Sequence, residues 1–112
     1  MKQRNLDGYY FRVKREDKYE AICFTDLTDE ETIAMLDGRS DEWLTSLLVG
    51  LLEVLNAIVD ASGFEQLKYT VQDIVDTMVN ISLVEQVWRI KRTINNIADY
   101  YDIVIDKEEL ID

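Results

Sequence analysis

The sequence predicts an α+β domain, an N-terminal antiparallel β-hairpin packed on a bundle of three to four helices. Three observations predict it. Residues 8–24 alternate apolar and polar side chains with a period of two, broken once by a polar turn. From Thr28 to Tyr101 apolar residues recur at three- and four-residue steps. No proline interrupts either pattern. At 112 residues the chain has the length of one domain.

The hairpin comes first. Tyr9, Phe11 and Val13 alternate with Tyr10, Arg12 and Lys14 in a strand over Gly8–Val13. Tyr19, Ala21 and Cys23 alternate with Glu20, Ile22 and Phe24 in a partner strand over Lys18–Phe24. Arg15, Glu16 and Asp17 form the polar turn between them. A lone hairpin is marginal in water and needs a cover on one face. The helix that follows Ser40 is the expected cover.

A short helix over 28–37 opens on Thr28-Asp29-Glu30-Glu31, a capping box in which Glu31 reaches back to the Thr28 amide. Ile33, Met35 and Leu36 give it a small apolar face, and Gly38 stops it. The central helix spans 41–61. Leu44, Leu47, Leu48, Leu51, Leu55 and Ile58 form one seam. Ser40 serves as N-cap, Asp41 and Glu42 sit in the first turn, and Gly63 closes the end. Val49, Leu52, Val54 and Val59 widen the stripe until little polar face is left, so this helix is expected to be wrapped by the chain or by a second copy. Glu53 and Asn56 interrupt the run, which argues against a membrane span.

Two helices follow, over 64–80 and 83–101. Leu67, Val71, Ile74, Met78 and Ile81 make one seam, and Leu83, Val87, Ile90, Ile94, Ile97 and Tyr101 another. The seams are out of phase between Ile81 and Leu83, and Ser82 with Glu85 forms a second capping box, so a break falls near Asn80–Ser82. One long helix with a shifted seam is the alternative. Asp102–Asp106 reads as a short strand or a helix end, and Lys107–Asp112 as an acidic, fraying tail.

Composition narrows the function. The net charge is −11, with 47% hydrophobic residues, so this is an acidic chain with enough apolar content for a core. That charge repels nucleic acid and favours basic surfaces, including the grooves in which other proteins hold nucleic acid. No direct DNA binding is expected, and the chain carries no secretory leader pattern. A lone cysteine, Cys23, excludes an internal disulfide and fits the cytoplasm. There is no histidine, no Gly-rich phosphate loop and no metal-ligand spacing. The expectation is a protein without catalytic residues, metal or cofactor. Cys23, on a strand, reads as a small core hydrophobe.

The densest non-core feature is Asp26 to Glu42. Asp26, Asp29, Glu30, Glu31, Asp37, Asp41 and Glu42 face only Arg39 in charge, and they are the candidate partner-binding residues. Glu31 and Asp41 also fit local capping roles. Two basic clusters oppose them: Arg12, Lys14, Arg15 and Lys18 near the hairpin turn, and Arg89, Lys91 and Arg92 on the last helix. Trp43, beside the acids, is either an interface anchor or a lid on the core.

Three runs carry a resemblance: Asn5-Leu6-Asp7-Gly8-Tyr9-Tyr10-Phe11-Arg12-Val13, Cys23-Phe24-Thr25-Asp26-Leu27-Thr28-Asp29-Glu30-Glu31, and Glu42-Trp43-Leu44-Thr45-Ser46-Leu47. They resemble small acidic proteins carried on conjugative elements, plasmids and phages of Gram-positive bacteria, some of which look like type II-A anti-CRISPR proteins that inhibit Cas9. The resemblance covers roughly the first half of the chain. Anti-CRISPR proteins share no fold or motif, so it assigns no residue a role. It implies a non-enzymatic inhibitor in the bacterial cytoplasm whose partner is Cas9 or its guide RNA complex. The competing expectation is a mobile-element accessory protein acting as a helical homo-oligomer, a homodimer through the Leu44–Val59 face.

Overall fold

The computed structural model describes residues 4–63, 65–78 and 80–101. The fold is α+β: an N-terminal two-stranded antiparallel sheet followed by four helices. The strands are β1 (Tyr10–Arg15) and β2 (Lys18–Cys23). The helices are α1 (Asp29–Leu36), α2 (Asp41–Ser62), α3 (Glu65–Asp76) and α4 (Leu83–Tyr101). The expected strand or helix end at 102–106 and the acidic tail lie outside the described residues.

The hairpin register pairs Phe11 with Ile22 and Val13 with Glu20, and closes with Arg15 opposite Lys18. β1 therefore starts and ends two residues later than its alternation predicts. The reason is the turn. Glu16 and Asp17 both adopt positive φ, 48° and 67°, which makes a two-residue connection rather than three. Arg15 thus belongs to the strand. β2 stops at Cys23, and Phe24–Asp26 form a short 3-10 helix where continued strand was expected. Phe24 is fully buried and meets Phe11 edge-on, with ring centroids 6.0 Å apart.

The helix starts follow the sequence rules. Thr28 caps α1 with both halves of the capping box formed. The Ser40 hydroxyl accepts from the Trp43 amide at 3.1 Å. At the far end of α2, Gly63 takes φ 73°, a left-handed cap that a side chain would strain. α3 ends at Asp76, earlier than predicted, and the Ser82 hydroxyl accepts from the Glu85 amide at 3.2 Å to open α4. The two helices are separate, as the seam offset requires.

The chain gathers into two compact units: Met1–Gly38 with Lys91–Asp112, and Arg39–Ile90. The boundary falls within α4. The first unit holds the hairpin, α1 and the later turns of α4. The second holds α2, α3 and the start of α4. The α2 seam Leu44, Leu47, Leu48, Leu51, Leu55 and Ile58 is buried, with Leu51 and Leu55 at 0% exposure. By length and composition alone α2 is apolar enough to cross a membrane, yet its seam is spent inside the chain, as in a core helix.

Candidate functional site

The structure sorts the seven sequence-predicted acids into three kinds. Asp26 is buried, a correction to its place in the exposed patch. Its carboxylate accepts from the Arg4 amide at 3.0 and 3.1 Å and from the Asn5 amide at 2.9 Å. These bonds fix the segment that enters the hairpin, so Asp26 projects nothing outward. Glu31 is half-buried and committed twice. It accepts from the Thr28 amide at 2.9 Å and forms a forked pair with Arg15, at 2.7 and 3.1 Å. The bonds from Arg15 and Thr28 outweigh partial burial and hold its carboxyl at about 2.

The other five are exposed. Asp29, Glu30 and Asp37 lie on or beside α1 in the first unit, and Asp41 and Glu42 lie in the first turn of α2 in the second. On α1, Ile33 stands 61% exposed, three residues after Glu30 and four before Asp37. An apolar side chain is thus presented among acids on one helix. Trp43 is half-buried, with the Arg39 guanidinium 4.4 Å over its ring.

The two basic clusters are depleted in the same way. Arg15 is taken by Glu31, leaving Arg12, Lys14 and Lys18 exposed on the hairpin, with Arg12 stacked 4.9 Å over Tyr19. Lys91 is 5% exposed, and its ammonium donates to the Leu27 carbonyl at 3.1 Å. Burial pulls its pKa down, and the charges of Asp29, Asp26 and Asp7 push it back up.

Sequence reasoning missed a buried polar network in the first unit. Asp7, 7% exposed, accepts from the Cys23 thiol at 2.8 Å, the Tyr9 amide at 2.7 Å and the Thr25 amide at 2.7 Å. Asn95 donates to the Thr25 carbonyl at 3.0 Å and accepts from Arg4, which also pairs with Asp99. Cys23 is buried as a core residue should be. Burial first, and then the Asp7 carboxylate beside it, pushes its thiol up to about 12. A thiol held protonated in this way is no nucleophile at neutral pH. The available signal for this network was Asp7-Gly8 before the strand and Asp26 just after it, polar residues bracketing an apolar hairpin.

Within the second unit, α2 and α3 enclose an open cavity of ≈ 480 Å³. Leu52 and Val59 of α2 and Val71 and Val75 of α3 line it, and Asp60 and Lys68 form an ion pair at 3.4 Å beside them. Among the described residues no group of three or more Cys, Asp or Glu is placed to hold a metal ion. Compared with protein families, curated proteins and solved structures, the chain matches none. The functional reading therefore rests on the chain's own chemistry.

Proposed function

We propose that this chain is a non-enzymatic inhibitor that binds a basic nucleic-acid-handling protein in the bacterial cytoplasm. A type II-A Cas9 is the leading target, and the block falls on guide RNA or DNA engagement. The observation that carries the reading is the set of five exposed carboxylates, Asp29, Glu30, Asp37, Asp41 and Glu42, on a chain of net charge −11. They remain after the two committed acids are subtracted. Carboxylates spaced along helix starts present negative charge to a groove shaped for phosphates. Cas9 holds its heteroduplex in a positively charged channel and reads its short recognition sequence with arginines. Ile33 adds an apolar contact at the centre of the α1 group, where desolvation strengthens the neighbouring charge pairs.

The test is charge reversal at constant fold. Asp29, Glu30, Asp37 and Glu42 all changed to Lys abolish inhibition of target-DNA cleavage while helicity and Tm stay near wild type. Reversal of three exposed acids elsewhere, Glu20, Glu53 and Asp73, leaves inhibition in place. Inhibition that survives the first set, or falls equally with both, contradicts the reading.

A further inference from the structure

The cavity between α2 and α3 plays no part in the acidic surfaces above. Its floor is apolar: Leu52 and Val59 come from one stripe of α2, and Val71 and Val75 from one stripe of α3. The α2 stripe continues outward, since Val49, one turn before Leu52, is 49% exposed. Less than half of the most apolar stretch of α2 is buried within the chain. The seam that the sequence offered for pairing, Leu44 to Ile58, is consumed internally, so it is not available to a second copy. The open groove is the apolar surface that remains.

We infer that this groove is where two copies of the chain pair about a two-fold axis, with Asp60 of each copy meeting Lys68 of the other. The charge pattern selects this occupant. Lys68 is the sole basic residue on α2 or α3, on a chain of net charge −11. Almost any other approach of two copies brings acid against acid. Here the rim carries one acid and one base, both largely exposed, at 58% for the Lys68 side chain and 68% for Asp60. A two-fold interface is self-complementary: the surface that offers residue i to its partner's j also offers j to i. A rim of Asp60 and Lys68 meets that requirement, because the two charges of one copy alternate with those of the other around the apolar floor. A basic partner segment would meet Lys68 with like charge, and an acidic one would meet Asp60. The reading stands apart from the inhibitor proposal, since none of the five exposed acids lines the groove.

Sedimentation velocity of the full chain over a range of concentrations tests it. Wild type forms a reversible dimer. Asp60→Lys and Lys68→Asp each replace attraction at the rim with repulsion and weaken dimerisation about tenfold or more. The double variant Asp60→Lys/Lys68→Asp restores it, while circular dichroism shows all three folded. Val49→Glu, at an exposed position beside the groove, also weakens the dimer. A wild-type chain that stays monomeric at every concentration overturns the proposal and leaves the groove to a different partner or an apolar small molecule. A dimer indifferent to both single reversals and to Val49→Glu overturns it too, by placing the contact on another face. The variant reversed at Asp29, Glu30, Asp37 and Glu42 dimerises like wild type, which separates this result from the inhibition assay.

Discussion

The two units hold themselves together by opposite means. In the second, α2 buries an unbroken leucine seam, and its fully enclosed Leu51 and Leu55 make no demand for a hydrogen bond. In the first, the hairpin, α1 and the end of α4 are tied by buried or half-buried polar groups: Asp7, Asp26, Glu31, Lys91 and Asn95. Apolar burial is roughly proportional to area and tolerant of direction. A buried carboxylate must be met by donors in fixed places, or the fold loses the full desolvation penalty. The difference teaches how to read the acidic composition. Part of the negative charge is structural, and only the remainder is free to recognise a partner.

The contrast sets the size of several mutational effects. Leu51→Ala opens a cavity at a fully buried site and destabilises by about 3 kcal/mol, measured by urea denaturation. Asp26→Ala strands the Arg4 and Asn5 amides and destabilises by about 2 kcal/mol. Asp26→Asn recovers part of that, because one amide oxygen still accepts. A neutral result at Asp26 would show that the polar network is not what secures the first unit. Glu31→Gln breaks the charge of both the Arg15 fork and the Thr28 bond and costs about 1 kcal/mol near neutral pH.

That last effect carries a pH signature. The folded-state pKa of Glu31 lies at about 2, below its ordinary 4.5, so its contribution is fully present above pH 4.5 and fades as pH falls towards 2. The Tm gap between wild type and Glu31→Gln should close over that window. A gap that stays constant down to pH 2 would remove the ion pair as its cause. Smaller and opposite in sign, Asp17→Gly relieves a positive-φ residue in the hairpin turn and stabilises by about 0.5–1 kcal/mol. Cys23 gives a readout with no stability change at all. Its thiol, buried and raised to about 12, stays unreactive towards a disulfide reagent at pH 8 until the chain is unfolded.

The same contrast explains what could be read from the sequence. Helix and strand periodicity reports apolar side chains, so the α2 seam, the α3–α4 break and the hairpin alternation were legible. The capping rules placed Thr28, Ser40 and Ser82 correctly because each acts on its own next turn. Polar residues with distant partners were not legible. Asp26 sits beside Leu27 and Thr28 at a helix start, where an acid reads as surface, yet its bonds run to residues 4 and 5. Lys91 shares a basic run with Arg89 and Arg92, yet it points inward to the Leu27 carbonyl. The two-residue turn was missed because Glu16-Asp17 lacks the Asn-Gly signature of its backbone shape. Five of the seven candidate acids were placed correctly as exposed. The two that were not are those with bonding partners the local sequence does not show.

The central claim is that the exposed acids let this chain occupy a basic nucleic-acid groove. Target-DNA cleavage by a purified type II-A Cas9 tests it most directly, with the protein added before or after guide RNA loading and at two salt concentrations. The account predicts inhibition that weakens as salt rises, since exposed charge pairs are screened over about 10 Å at 0.1 M ionic strength. Inhibition restricted to addition before loading places the block at guide assembly, and inhibition in both orders places it at DNA engagement or cleavage. Full cleavage in every order, at low salt and across several Cas9 orthologues, would contradict the claim.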